Sequence, residues 1–137
     1  MIPVETIDGE RRAMILTGII VHGKHLGRTI GFPTANLKPD APFSGQRGVY
    51  AGRFTGENGV NQMCMVNIGT HPTVPEGEPT IEAHLLDYSG NLYGQRVTIE
   101  LTDFLRPERR FPSLEALKEQ LTSDREHTRK VLADRLH

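Results

Sequence analysis

The feature that most constrains the fold is a run of short, apolar, strand-like segments separated by turn-rich links. From Met14 onward the chain reads MILTGIIVHG, GVYAGRFT, NQMCMVNIG, TIEAHLLDY and QRVTIELTDFL, with links such as GENG and SGNLYG between segments. The last segment alternates cleanly, so that Val97, Ile99 and Leu101 share one face and polar residues take the other. Because consecutive strands with short links pair antiparallel, about five such strands predict a barrel or a sandwich.

Downstream of Pro112 the pattern changes to that of an amphipathic helix. Ser113 is a natural N-cap, and Glu115 lies in the first turn, where the helix dipole favours an acid. The residues that share one stripe at helical spacing are Leu114, Leu117, Leu121, Thr128, Val131 and Leu132. We therefore predict a helix over residues 113–135 that packs against the barrel. We also predict one domain over residues 1–137, with a loose lead-in at 1–12.

The composition argues against several classes of protein. The formal net charge is −1 and there is no tryptophan, so nothing suggests attraction to nucleic acid or to an anionic membrane. No apolar stretch approaches the ~20 residues needed to cross a bilayer. The single cysteine, Cys64, lies in the apolar run MCMVNI and is predicted to be a buried core residue. A reducing cytoplasm is the expected location.

The stretch from Gly23 to Gly48 is too rich in glycine and proline to predict regular structure. Long loops inside compact domains are usually functional or disordered. Its first part, GKHLGRTIG, could cradle an anion on backbone N–H groups beside Lys24 and Arg28. It matches neither the Walker motif nor the dinucleotide fingerprint. From these residues alone, a flexible surface loop with two solvated cations is an equal alternative.

The segment PTAN that follows is stiffer. Pro33 fixes its own φ and biases Phe32 toward an extended conformation. In extended backbone, Thr34 and Asn36 point the same way, and both carry hard oxygen ligands. Magnesium takes few protein oxygens and completes its shell with water and phosphate, so this pair could hold Mg²⁺. The alternative is a turn in which these side chains satisfy their own backbone.

Glu82, in the segment TIEAHLLDY, is the third candidate. It shares a strand face with His84 and Leu86, and a carboxylate in mid-strand is disfavoured by propensity. If Glu82 lines a pocket, burial would raise its pKa toward a range useful for a general base. The alternative is an ordinary solvated glutamate on an exposed face.

Several motifs together resemble one known family. GFPTANL, GVYAG, VNIGTHPT, IEAHLLDYSGNLYG and LRPERRFPSLEAL occur in this order and at this spacing in riboflavin kinases. The resemblance runs from about Thr17 to Leu132. It implies a mainly β fold, a six-stranded antiparallel Greek-key barrel with a C-terminal helix. It also implies transfer of the γ-phosphate of Mg-ATP to the 5′-hydroxyl of riboflavin, which yields FMN and ADP.

The resemblance also implies roles for individual residues. Thr34 and Asn36 match residues that hold magnesium and the nucleotide phosphates, and Glu82 matches the catalytic base. The other positions expected near ATP are Gly23, Arg28, Leu85, Asp87 and Tyr93. The positions expected near the flavin are Arg106 and Arg109. Taken alone, Leu85 and Tyr93 would indicate barrel packing, and Asp87 would be a turn acid. The run RPERR, which contains both arginines, would be a solvated charge run before a helix.

In bacteria this kinase is usually the C-terminal module of a bifunctional enzyme that also makes FAD. No part of this sequence could house the adenylyltransferase, so FAD synthesis is expected to be missing. The chain is then a stand-alone kinase, a domain of a longer bifunctional protein, or a paralogue. Two rival functions are a non-catalytic flavin- or nucleotide-binding module on the same barrel and a nucleic-acid-binding small barrel. The second conflicts with the neutral charge and few aromatic residues.

Overall fold

The fold is described from a computed structural model, which covers residues 2–3, 5–7, 10–12, 14–23, 31–70 and 76–134. Only the backbone is described before Met14. The strands are β1 (Ile2–Pro3), β2 (Glu5–Ile7), β3 (Glu10–Arg12), β4 (Met14–Val21), β5 (Ala35–Pro39), β6 (Gly48–Thr55), β7 (Asn61–Gly69), β8 (Thr80–Leu85) and β9 (Arg96–Pro107). A single long helix, α1 (Leu114–Asp134), follows them in this part of the chain.

Six of the strands close into an antiparallel barrel. Around the barrel the order is β4, β5, β8, β7, β6 and β9, and β9 pairs back with β4. The chain passes through β6, β7 and β8 in sequence, whereas β5 lies beside β8 and β9 lies beside β6, which is a Greek-key arrangement. The structure therefore confirms the predicted mainly β fold, a six-stranded antiparallel barrel followed by a helix.

The barrel is filled by the inward side chains of its strands. Val97, Ile99 and Leu101 are fully buried, as their alternation predicts, and Tyr50 and Phe54 enter from β6. Strand β9 pairs with both β4 and β6, and its pairing with β6 contains register shifts. Such irregularities bend a strand, which helps to close a small barrel.

Two sequence predictions on secondary structure were wrong. The stretch from Gly23 to Gly48 was predicted to lack regular structure, but Ala35–Pro39 forms a strand because it pairs with β4 on one side and β8 on the other. The lead-in predicted at 1–12 contains three short strands. Ile2–Pro3 pairs with β9, and β2 pairs with β3. Segments this short and polar carry no periodic signal.

The helix begins where the sequence predicts. The Ser113 Oγ accepts a hydrogen bond from the Ala116 N–H at 3.1 Å, which confirms the N-cap. Helix α1 packs across β7, β6 and β9 on the outside of the barrel. Residues 135–137 lie outside the described part of the chain.

Cys64 is a core residue, as predicted. Its thiol is fully buried in the barrel, and this burial raises its pKa to about 12. Because the thiolate is the reactive form, Cys64 is inert at neutral pH. Helix α1, in the part of the chain that the structure covers, is too polar to qualify as a membrane span.

Candidate active site

Two cavities open on the outer surface of the barrel and share one wall. The first cavity, about 580 Å³, lies between the end of β4, the start of β5 and residues 88–93. The second cavity, about 810 Å³, lies between the barrel and α1. Thr34 and Asn36 line both cavities. A ligand in each cavity would therefore meet its neighbour at these two side chains.

The second cavity has a floor built from one row of outward-facing residues. Cross-strand pairing runs from Asn36 to Glu82, Asn67, Val49 and Arg106, on β5, β8, β7, β6 and β9 respectively. All five line the second cavity. Directly opposed residues in an antiparallel sheet have Cβ atoms about 4.5–5.5 Å apart. The row therefore places a carboxylate between two carboxamides.

Glu82 occupies the middle of that group. Its partial burial raises the pKa of its carboxyl, and hydrogen bonding from the Asn67 side chain acts in the opposite direction. A carboxylate in a cavity whose pKa is raised by desolvation is suited to accept a proton near neutral pH. Glu82 thus lies in a cavity and is not on a solvated face.

Gly23 and Asn36 approach each other closely. A Cβ at Gly23 would lie 2.3 Å from Cγ of Asn36, so only glycine leaves room for the Asn36 side chain in this position. The neighbouring segment is fixed by His84, whose Nδ1–H donates to the Pro33 carbonyl oxygen at 2.8 Å. Burial lowers the pKa of His84, which favours the neutral ring. Sequence reasoning did not find this role for His84.

Thr34 and Asn36 suit a metal that arrives with its substrate. Together they offer one hydroxyl and one amide oxygen. Mg²⁺ usually binds one or two protein oxygens and takes the rest from phosphate and water. Across the described residues there is no group of three or more histidine, cysteine or acidic side chains that could hold a metal by itself. The donor set therefore fits a magnesium–nucleotide and not a resident metal enclosed by protein.

Two of the residues predicted to lie near ATP line the first cavity. Leu85 and Tyr93 line it, and the Tyr93 ring stacks on His22 with centroids 3.6 Å apart and planes at 17°. Such a flat aromatic pair can stack against a heterocyclic base. Asp87 is not among the residues lining either cavity. Its carboxylate instead pairs with Arg129 of α1, with Nη2 and Oδ1 2.8 Å apart. The predicted Arg28, like Lys24, lies outside the described residues.

Both predicted flavin-site arginines line the second cavity, and their guanidinium groups are held in place. Arg106 donates to Asp124 of α1 through Nε at 3.1 Å and Nη2 at 2.8 Å. Gln120 donates to Asp124 at 2.9 Å and accepts from Arg109 at 2.9 Å. The guanidinium carbons of Arg106 and Arg109 lie 5.6 and 5.2 Å from the centre of the Phe111 ring. Asp124, which sequence reasoning missed, therefore ties the helix to the cavity wall.

Comparison with known proteins identifies relatives of this chain. Residues 10–132 match the family model Flavokinase, described as riboflavin kinase. The bifunctional riboflavin kinase/FMN adenylyltransferase of Escherichia coli K12 is 43% identical over 109 residues, which cover 80% of this chain and 35% of that protein. The RNA-binding riboflavin kinase RibR of Bacillus subtilis is 40% identical over 111 residues, covering 80% and 47%.

A solved structure shows the same fold at lower sequence identity. The riboflavin kinase of Trypanosoma brucei superposes with a TM-score of 0.64 at 23% identity, covering 90% of this chain and 83% of that one. This chain spans about a third of the length of the Escherichia coli relative and about half of the Bacillus subtilis relative. A family match over residues 10–132, together with this identity and fold, means that the chain belongs to the riboflavin kinase family.

Proposed function

We propose that this chain is an ATP-dependent riboflavin kinase that transfers the γ-phosphate of Mg-ATP to the 5′-hydroxyl of riboflavin. The observation that carries the proposal is the meeting of two cavities at Thr34 and Asn36, with Glu82 beside them on the next strand. The nucleotide takes the first cavity and the flavin the second. Phosphoryl transfer depends mainly on in-line positioning and neutralised phosphate charge, which this arrangement supports.

The chemistry is divided among few residues. Thr34 and Asn36 hold Mg²⁺ and orient the nucleotide phosphates, and Gly23 leaves the space that Asn36 needs. When bound, Mg²⁺ neutralises the charge that develops on the transferring phosphoryl group. Glu82 accepts the proton of the riboflavin 5′-hydroxyl. The bond between that oxygen and the γ-phosphorus forms, the bond between the γ-phosphorus and its bridging oxygen breaks, and ADP leaves.

The remaining site residues bind and orient the substrates. Leu85 and Tyr93 contact the adenosine half of the nucleotide in the first cavity. Arg106, Arg109 and Phe111 line the second cavity, beside the flavin. Arg28 stays a predicted nucleotide contact. Asp87 also stays a predicted nucleotide contact, although it lines neither cavity and its exposed carboxylate pairs with Arg129.

The partners proposed are ATP/ADP and riboflavin/FMN. The Escherichia coli relative carries two activities in its name, and this chain matches about a third of it, so membership in a longer bifunctional protein is one of the arrangements proposed. The absence of nucleic-acid and membrane partners stays a prediction, and one relative is named as RNA-binding. A cytoplasmic location also stays a prediction. No observation favours a non-catalytic module on the same barrel.

The test is turnover of riboflavin with Mg-ATP, with FMN and FAD measured separately. We expect FMN. Glu82→Gln should lower kcat by about 10²-fold or more, the usual contribution of a general base, while riboflavin and Mg-ADP bind within several-fold of wild type. The matched control is Glu100→Gln, which alters an exposed mid-strand glutamate on β9 away from both cavities. It should leave kcat unchanged.

Two results would overturn parts of this proposal. A wild-type protein that makes no FMN from Mg-ATP and riboflavin is not a riboflavin kinase. A well-folded Glu82→Gln variant with near-normal kcat would remove the base assignment even in an active kinase.

A further inference from the structure

Asn67 stands directly beside the proposed base. It lies opposite Glu82 in the β7–β8 pairing, on the other side of Glu82 from Asn36. Its side chain lines the second cavity. Asn67 lies within the motif VNIGTHPT, but the resemblance assigned it no role, and an asparagine in a strand carries no local signal of function.

The position of Asn67 is fixed by the barrel itself. Its neighbours Val66 and Ile68 are fully buried in the core, so the alternation of β7 turns Asn67 outward. Strands β7 and β8 stay paired without a register shift from Cys64 to Gly69. A functional group carried on such a strand is held more rigidly than one carried on a loop.

Glu82 needs such a neighbour. A glutamate has three side-chain torsions, and the second cavity is large enough to let a free carboxylate adopt several rotamers. The amide of Asn67 is a hydrogen-bond donor, and a carboxylate can only accept. Hydrogen bonding between these two side chains also favours the ionised form of Glu82.

We propose that Asn67 is a positioning residue: its amide holds one carboxylate oxygen of Glu82, which leaves the other free to face the riboflavin 5′-hydroxyl. This inference rests on the proposed kinase activity. A misplacement of about 1 Å at a reacting group can cost on the order of 10²-fold in rate. Asn67 acts through Glu82 and touches neither substrate's reacting atoms.

The experiment is a double-mutant cycle read in kcat and KM. Asn67→Ala and the near-isosteric Asn67→Asp are each made in the wild type and in Glu82→Gln, and FMN formation is followed at saturating Mg-ATP. We expect Asn67→Ala to lower kcat about tenfold in the wild type, with KM for riboflavin changed less than about threefold. Asn67→Asp keeps the shape but places a second acceptor beside the carboxylate, so its kcat should fall at least as far.

In the Glu82→Gln background neither substitution should lower kcat more than about twofold further, because residues acting as one unit are non-additive. The matched control is Asn61→Ala on the same strand, where the Asn61 Oδ1 accepts from Arg53 away from both cavities. It should leave kcat and KM unchanged. Because Asn67 is exposed, all Asn67 variants should melt at the wild-type temperature.

Each contrary outcome is distinct. If Asn67 contacts the flavin instead, KM rises in both backgrounds and the effects add, which overturns the inference. If Asn67→Ala has a normal kcat while the wild type is active and Glu82→Gln is impaired, the inference about Asn67 is overturned and the proposed kinase function stands. If Asn67→Ala melts at a lower temperature than the wild type, the test relies on Asn67→Asp. A wild-type kcat in Asn67→Asp would then overturn the inference about Asn67. A wild type that forms no FMN overturns the proposed function, and this inference with it.

Discussion

Replacing Asp124 with alanine should destabilise this protein far more than the loss of a surface ion pair does. Asp124 lies on α1 and is only 3% exposed. Its carboxylate accepts hydrogen bonds from Nε and Nη2 of Arg106 on β9 and from Nε2 of Gln120. The Arg106 side chain is 15% exposed, so water reaches little of its charge. The pair is the most deeply buried ionic link between the helix and the barrel among the described residues.

The magnitude follows from what the substitution leaves behind. Asp124→Ala removes the carboxylate and leaves the Arg106 guanidinium buried without a counter-ion. Breaking a buried pair in this way costs about 3–5 kcal/mol. Arg106 retains some solvent contact, and alanine is the better helix former by about half a kcal/mol, so we expect the lower end, about 3 kcal/mol. For a domain of this size that corresponds to a fall in Tm of about 10 °C.

The assay is urea denaturation followed by circular dichroism, with the free energy of unfolding taken from the midpoint and slope. The control is Asp87→Asn, which breaks the exposed pair between the barrel and Arg129 of α1. Asp87 has a φ of 57°, which asparagine also tolerates, so this change alters mainly the charge. It should lower the free energy of unfolding far less, because solvent screens the pair.

A second variant separates charge from packing. The double substitution Arg106→Met with Asp124→Leu replaces the buried pair by apolar groups and should recover most of the lost stability. If Asp124→Ala and Asp87→Asn proved equally mild, burial would not decide the strength of these links. If the double variant were as unstable as Asp124→Ala, the cost would come from packing and not from an unpaired charge.

Three further predictions concern the metal, the glycine beside it and pH. Thr34→Val removes one oxygen ligand at nearly constant shape, so it should lose most of the Mg²⁺-dependent turnover; EDTA should abolish wild-type turnover and added Mg²⁺ restore it. Gly23→Ala should displace the Asn36 side chain and lower kcat while Tm changes little, as kinetics and calorimetry would show. Hydrogen bonding from Arg129 lowers the pKa of Asp87 in the folded state. The pair therefore stabilises the fold fully above the unfolded-state pKa of about 3.9. This stabilisation is lost as the pH falls through the lower folded-state pKa. The urea midpoints of wild type and Asp87→Asn should therefore converge below about pH 4.

The sequence predicted those elements whose signal is local. The alternation around Ile99 and the cap at Ser113 both depend on near neighbours, and both are found in the structure. Strand β5 was missed because the stretch around it is rich in glycine and proline and its extended form depends on pairing with β4 and β8. Tertiary pairing of this kind overrides local propensity.

The same distinction applies to the site. Thr34, Asn36 and Glu82 were predicted together, and the structure brings them together, although their roles stay predictions. The resemblance placed Asp87 near ATP, whereas the structure pairs its carboxylate with Arg129 on α1, 42 residues further along the chain, and its role in the site stays a prediction. Asn67 lies within the motif VNIGTHPT, but no role was predicted for it. Its importance appears only once β7 is paired with β8.

The closed barrel explains why the candidate site lies on its outer surface. The interior is filled by core side chains, whereas the outward residues of the row that carries Glu82 are each paired with a residue on a neighbouring strand. A floor of this kind can orient Glu82, but an open face cannot exclude water. Helix α1 supplies the opposing wall, and the Arg106–Asp124 pair fixes it at the end of the same row that carries Glu82. The interaction that holds the helix to the barrel therefore also sets the width of the second cavity. If the flavin binds there, as we propose, loosening this interaction should weaken riboflavin binding before it affects the nucleotide.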